Sequence, residues 1–97
     1  ASAPAPARRA VTVDVASFKF APATVTVAAG GRVTWVNHDT APHTAQNTGL
    51  KGPRTFDTGT LRRGARRTIA FARAGRYRYY CVFHRFMEAD VIVKQGA

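Results

Sequence analysis

The sequence lacks the features of several large protein classes. It has one cysteine, which excludes an internal disulfide framework. No apolar run approaches the roughly 20 residues that a membrane-spanning helix needs. No stretch has the repeating apolar pattern of an amphipathic helix. The 97 residues are enough for one domain, and a hydrophobic content of 45% is too high for a disordered chain.

Acidic residues are scarce. The chain has five acidic and 15 basic residues, which gives a net charge of +10, and twelve of the basic residues are arginine. Two arginine clusters stand out, Arg8–Arg9 and the segment 62–67. An excess of this kind attracts nucleic acid, anionic lipid or an acidic protein surface. The alternative interpretation is a coding bias toward Ala, Gly and Arg, with the charges merely solvated.

The dominant hydrophobic period is two, which is typical of half-buried strands. Turn signals rich in Gly separate the alternating segments at intervals of about 8–12 residues, which indicates an all-β sandwich or barrel. Residues 1–9 form a Pro/Ala-rich segment that we expect to be flexible, and residues 10–97 form the domain. The alternating segments are 11–15, 24–27, 33–36, 68–71, 77–81 and 91–93.

One motif brings metal-binding chemistry into a short segment. Cys81, His84 and Met87 form the pattern C-x-x-H-x-x-M, and this cysteine and methionine are the only ones in the chain. A thiolate, an imidazole and a thioether are a soft ligand set. Two His and one Cys in a trigonal arrangement, with a weak axial Met, make a mononuclear copper site suited to electron transfer.

The second histidine must come from elsewhere, and two candidates remain. His43 follows Pro42 and opens a short predicted strand, where a ligand is held rigidly. His38 comes at the end of a strand and has the character of a surface residue. We favour His43 as the ligand.

Other chemistries fit the residues less well. Zinc is usually coordinated by four N, O or S ligands in a closed tetrahedral site, and a thioether is a poor zinc ligand. A Cys/His hydrolase needs an oxyanion-stabilising turn, which the residues after Cys81 do not provide. Cys81 could also be a buried structural residue. A basic nucleic-acid-binding barrel with stacking aromatics is a further alternative, which Cys81→Ser would leave unaffected. We therefore expect neither an enzyme nor a nucleic-acid-binding protein.

The chain resembles the cupredoxins of the plastocyanin, amicyanin and pseudoazurin group from residue 11 to residue 94. Two residues between successive ligands of the loop is the spacing of amicyanins. The resemblance implies a Greek-key β-sandwich of about seven to eight strands. It also implies one type 1 copper and an outer asparagine, Asn37, that ties the upstream loop to the Cys loop. The implied copper ligands are His43, Cys81, His84 and Met87. The segments that carry the resemblance are 20–22, 25–27, 31–37, 42–43, 56–59 and 75–81.

The ligand loop departs from the family at two positions. Arg85 stands where the family often has Pro, and Glu88 stands where it often has Gly. In the family the exposed edge of the second histidine is the electron port, ringed by apolar residues. Pro42, Phe83 and Phe86 are expected to supply that patch here, with the charge of Arg85 at its rim.

The expected function is one-electron transfer between redox partner proteins by a monomeric, exported protein. Its location would be periplasmic or otherwise extracytoplasmic, with the signal peptide absent from this chain. The expected partner is an acidic redox protein: a cytochrome, a copper reductase, an oxidase or a dehydrogenase. If the 62–67 turn lies away from the port, association with an anionic surface is expected instead. The alternative function is a copper storage, chaperone or sensor module with the same ligands.

Overall fold

The computed structural model describes residues 8–50 and 55–95. These residues contain six strands and no helix, so no helix in this part of the chain is long enough to cross a membrane. The all-β prediction is confirmed. The strands are β1 (Arg8–Ala16), β2 (Lys19–Ala21), β3 (Thr24–Asn37), β4 (Arg66–Phe71), β5 (Gly75–Tyr80) and β6 (Glu88–Lys94).

Strand β3 organises the sandwich because its two halves pair with different strands. Residues 24–28 run parallel to β6, and residues 31–37 lie between β1, which is parallel, and β4, which is antiparallel. Gly30 has a left-handed φ of 89° at the change of partner. A Cβ on Gly31 would lie 2.7 Å from the carbonyl oxygen of Arg9, so only glycine permits this approach of β1. The strand order is β2-β1-β3-β6-β5, with β4 paired to β3.

The described residues contain fewer strands than the seven to eight expected from the sequence. The segment after Pro42, predicted as a strand, makes single bridges between His43 and Leu61 and from Gln46 to its neighbours. Between these bridges the Ala45 N–H donates to the Thr58 hydroxyl (2.9 Å), while the Ala45 carbonyl accepts the Thr58 N–H (3.0 Å). Strand β2 was not predicted, since three residues are too short to show a period.

The core is aromatic beneath the end of β5. Tyr77, Tyr79 and Cys81 are fully buried, as their alternation predicts. Trp35 packs edge-to-face on Tyr79, with 5.4 Å between ring centroids. The Tyr77 hydroxyl donates to the carbonyl oxygen of Arg73 (2.7 Å). Within the described residues the Tyr79 hydroxyl and Trp35 Nε1 make no well-formed hydrogen bond. Burial raises the pKa of Tyr79, and the neighbouring Trp35 side chain opposes this in part.

Two residues of the segment that the sequence predicts to be flexible are strand residues. Strand β1 begins at Arg8, so Arg8 and Arg9 are strand residues, and Arg8 pairs with Val27. Residues 1–7 lie outside the described part of the chain. Arg8 and Arg9, which the sequence places in the flexible segment, are therefore part of the sheet.

Candidate metal centre

The backbone of His43 is anchored by hydrogen bonds of its own, independently of the contacts of its side chain. His43 and Leu61 exchange two backbone hydrogen bonds, of 3.1 Å from the His43 N–H and 2.7 Å from the Leu61 N–H. Pro42, which precedes His43, is exposed, whereas the imidazole of His43 is fully buried. The ring is therefore fixed at one edge of the sandwich by a pair of interstrand bonds.

Asn37 organises the loop that leads to His43. Its buried amide nitrogen donates to the carbonyl oxygens of Ala41 (2.9 Å) and Leu61 (2.7 Å), and its Oδ1 accepts from the Asp39 N–H (2.8 Å). These bonds close the 37–41 loop and join it to Leu61. Among the described residues these bonds stay within the upstream segment, so the cross-loop role that the resemblance implies for Asn37 stays a prediction.

Thr44 makes a cross-loop connection. Its backbone N–H points at the Cys81 sulfur at 3.4 Å, and its hydroxyl accepts the Val82 N–H at 2.9 Å. Both groups belong to the residue that follows His43. The upstream segment and the Cys loop are thus tied together directly beside the cluster of candidate ligands.

The C-x-x-H-x-x-M spacing has a backbone cause. The His84 N–H donates to the Cys81 carbonyl (3.2 Å), and the Met87 N–H donates to the His84 carbonyl (2.8 Å). The Cys81 N–H donates to the Met87 carbonyl (3.1 Å). Two consecutive four-residue turns, 81–84 and 84–87, therefore close into a ring and bring the three motif residues close together.

Three of the predicted ligands converge. The Cys81 sulfur lies 3.5 Å from His43 Nδ1 and 3.8 Å from His84 Nδ1, and the three donor atoms lie within 4.8 Å of one another. Three donors bound at about 2.1 Å to one ion in a trigonal plane would stand about 3.6 Å apart, so this spacing fits a single metal ion. Met87, the fourth predicted ligand, is buried at the end of the same loop.

The tautomer of His43 is set by Asp39. His43 Nε2 lies 2.9 Å from Asp39 Oδ2, so Nε2 carries the proton and donates it to the carboxylate. The lone pair of Nδ1 then faces the sulfur, which is the arrangement that a metal-binding imidazole requires. The donor set and its hydrogen bonds thus fit copper.

Asp39 also holds the turn between β1 and β2. Its carboxylate accepts the backbone N–H groups of Ser17 (2.8 Å) and Phe18 (3.0 Å). The Phe18 N–H, followed by the bonds to His43 and Ser17, holds the pKa of Asp39 below its ordinary value. Asp39 was not predicted as a site residue, although it is an acid four positions before a candidate ligand.

Phe18 was missed as well. Its ring packs edge-on against both imidazoles, with 5.4 Å between centroids for His43 and 4.8 Å for His84. No residue-type pattern connects Phe18 with ligands more than 20 positions away, so the sequence carried no signal for it.

His38, the rejected candidate, lies outside the cluster. Its side chain is 52% exposed, and its Nε2 is 2.8 Å from Asp14 Oδ1 on β1. This is an exposed contact, of the kind that contributes little to stability.

Two of the predicted port residues expose apolar surface on the loop that carries His84. Phe83 is 50% exposed and Phe86 is 73% exposed, and the Phe86 ring lies 6.1 Å from the His84 ring. The guanidinium of Arg85 does not project freely, because it lies 4.3 Å above the centre of the Tyr80 ring. This cation–π contact places the positive charge of Arg85 over the face of Tyr80.

Comparison with known proteins identifies the family. Residues 7–94 match the model of the copper binding proteins of the plastocyanin/azurin family, so the chain belongs to that family. It is a cupredoxin, and copper-based electron transfer is the general function of such proteins. The predicted cofactor, copper, is confirmed by the family, and His43, Cys81 and His84 are a group of side chains that could hold a metal ion.

Amicyanins are among the similar proteins. The chain is 37% identical to amicyanin from Paracoccus versutus and 30% identical to amicyanin from Paracoccus denitrificans, each over 86 residues, or 88% of this chain. The matches cover 65% and 66% of those relatives, slightly less than two thirds of their length.

Solved structures give the same result for the fold. A Cu(I) mutant of amicyanin superposes with a TM-score of 0.79 at 29% identity, covering 88% of this chain and 82% of that one. The copper-containing nitrite reductase NirK from Thermus scotoductus SA-01 superposes with a TM-score of 0.82 at 29% identity. That match covers all of this chain but 24% of the reductase.

Proposed function

We propose that this protein carries single electrons between redox partners through one type 1 copper bound by His43, Cys81, His84 and Met87. The observation that carries the proposal is the convergence of one sulfur and two imidazole nitrogens within 4.8 Å at the closed end of the ligand loop. The thiolate favours Cu(I), the imidazoles suit both oxidation states, and a thioether adds only a weak axial bond.

The backbone around the ligands supports a carrier. Cys81 and His43 are each fixed by backbone hydrogen bonds, and Thr44 joins the two segments. A donor set held by backbone hydrogen bonds in this way has little freedom to rearrange when the charge of a bound ion changes. Small rearrangement is what fast electron transfer requires.

The burial of the ligands favours an electron carrier over an enzyme or a copper store. His43 and Cys81 are fully buried, and His84 is partly buried. A catalytic metal needs an open position for substrate, and a chaperone needs ligands that a partner's donors can replace. Electrons can leave through the His84 edge without direct access to the ion.

The charge distribution supports an acidic partner. Among the described arginines, ion pairs are formed by Arg76 and Arg78 alone. Arg62 and Arg63 line a shallow cavity of about 360 Å³ together with Thr40, Thr60 and Pro42, the residue before His43. The turn that carries Arg62 and Arg63 thus lies beside the segment of His43. From this position its positive charge would attract the carboxylates of a partner toward the exposed edge of His84.

The finer assignments follow from this interpretation. The partner is an acidic cytochrome, copper reductase, oxidase or dehydrogenase, and the protein works as a monomer in the periplasm or another extracytoplasmic compartment. Pro42, Phe83 and Phe86 form the contact patch, with Arg85 at its rim. Nucleic acid is not the partner.

Voltammetry of the copper-loaded protein tests the carrier against the store. The proposal predicts a reversible one-electron wave that persists over repeated cycles with the copper retained. A store or chaperone would bind and release Cu(I) without a stable Cu(II) form, and that result would contradict the proposal.

A further inference from the structure

The turn between β1 and β2 has an unusual backbone. Ala16 pairs with Lys19, and the two residues between them have left-handed φ angles, 52° at Ser17 and 58° at Phe18. Positive φ at both central positions defines a turn type that is dominated by Gly, Asn and Asp. A bulky residue there is a conformational outlier, and strain of this kind is concentrated at functional sites.

One carboxylate fixes this turn and a candidate ligand at the same time. Asp39 accepts the N–H groups of Ser17 and Phe18, and its Oδ2 also lies 2.9 Å from His43 Nε2. The position of the Phe18 backbone is therefore set by the same group that orients the imidazole of His43.

The ring that this turn presents covers both imidazoles. Phe18 contacts His43 and His84 edge-on, at interplanar angles of 87° and 78°, while the two imidazole rings are 5.0 Å apart. Phe18 is 42% exposed, whereas His43 beneath it is fully buried. Phe86 is more exposed, and among the imidazoles it contacts His84 alone.

We propose that Phe18 is the lid residue of the metal centre: it excludes water from His43 and His84 and presents its exposed part to the redox partner. The strained turn is retained because a ring at this position shields the imidazoles. The water exclusion is a property of the protein alone, and the redox consequence rests on the proposed function.

The redox consequence has a definite sign. An oxidised site carries one more positive charge than a reduced site, so water near the ligands stabilises the oxidised form. An apolar lid that keeps water away raises the reduction potential. Loss of the ring is therefore expected to lower the potential.

Phe18→Gly is the decisive variant because glycine adopts left-handed φ without steric cost and keeps the N–H that binds Asp39. The turn is expected to remain folded while the ring is lost. In the metal-free protein, NMR is expected to show several-fold faster exchange of the His43 Nε2 proton with water. In the copper-loaded protein, voltammetry is expected to show a lower potential.

Three controls separate the ring from the backbone. Ser17→Gly relaxes the neighbouring left-handed residue and keeps the ring, so wild-type proton exchange and potential are expected. Phe18→Tyr keeps an aromatic ring and is expected to behave in the same way. Phe86→Leu removes an exposed ring that does not contact His43, so the exchange of the His43 proton is expected to stay unchanged.

The proposal is overturned if folded Phe18→Gly retains wild-type proton exchange and potential. It is also overturned if Ser17→Gly accelerates the exchange as much as Phe18→Gly, because the effect would then belong to the turn backbone. If exchange accelerates in Phe18→Gly but the protein shows no reversible copper couple, the lid is supported and the proposed function alone fails.

Discussion

The backbone N–H of Thr44 lies 3.4 Å from the Cys81 sulfur, across a sequence separation of 37 residues. The hydroxyl of the same threonine accepts the Val82 N–H, so one residue contacts both the candidate ligand and the start of its loop. This link fixes the distance between the two parts of the chain that supply the donor atoms.

Replacement of Thr44 by Val is expected to destabilise the fold by about 1–3 kcal/mol, since the part-buried Val82 N–H loses its acceptor. Thr44→Ser keeps the hydroxyl and is the matched control. Chemical denaturation of the metal-free proteins measures the difference. Equal stability of the Val and Ser variants would show that the cross-loop bond contributes nothing.

Met87→Leu tests the axial ligand. Because the thioether is a weak donor that favours Cu(II) slightly through coordination, its replacement by an apolar side chain of similar volume is expected to raise the potential and retain the copper. Met87 is buried, so the volume must be conserved. Voltammetry measures the potential, and a lower potential in the variant would argue against an axial Met87.

Two buried tyrosines of β5 are expected to respond differently to loss of their hydroxyls. Tyr77→Phe removes a hydrogen bond to the Arg73 carbonyl and is expected to cost about 1 kcal/mol. Tyr79→Phe removes a buried hydroxyl that has no well-formed hydrogen bond within the described residues, so a smaller, neutral or stabilising effect is expected. Thermal unfolding of both variants decides the point, and a larger loss for Tyr79→Phe would contradict the structure.

Asp90 is expected to matter more than Glu88, although both lie on β6 and bind Arg78. Asp90 is 7% exposed and binds Arg76 as well, whereas Glu88 is 51% exposed and binds one guanidinium. Asp90→Asn is expected to cost about 1.5–3 kcal/mol, and Glu88→Gln about 0–1 kcal/mol. Denaturation at low and high salt measures both, and equal costs would show that burial of the carboxylate is unimportant.

Arg62 and Arg63, in the turn before β4, give a prediction for association with an acidic redox partner. Arg62→Gln/Arg63→Gln is expected to slow reduction of an acidic electron-transfer protein more than Arg66→Gln/Arg67→Gln on β4, although both pairs lose the same charge. The reason is that Arg62 and Arg63 share a cavity with Pro42. Stopped-flow rates over a range of salt concentrations measure the effect, which is expected to fade as salt rises. Equal slowing by both pairs would indicate net charge alone.

The sequence predicted the loop of the site well because its geometry is local. The spacing of Cys81, His84 and Met87 equals the spacing of the backbone hydrogen bonds that close the loop. The choice of His43 over His38 depended on Pro42 and on a predicted strand, of which the structure shows isolated bridges. The strand period likewise placed Tyr77 and Tyr79 in the core.

The parts of the site that were not predicted from the sequence depend on contacts between segments that are distant along the chain. Asp39 and Phe18 are 21 residues apart, and nothing in the residue types around either one indicates that they meet. The resemblance implies a cross-loop role for Asn37, and the hydrogen bonds described for it stay within the upstream segment. Such contacts follow from how the β1–β2 turn packs over the ligand loop, which a one-dimensional pattern does not contain.

The absorption spectrum after addition of Cu(II) to the metal-free protein tests the central claim most directly, with Cys81→Ser as the matched variant. The account predicts an intense visible thiolate-to-copper charge-transfer band in the native protein and none in the variant, because Cys81 is the only thiol in the chain. A native protein that stays colourless, or a variant that keeps the band, would contradict it.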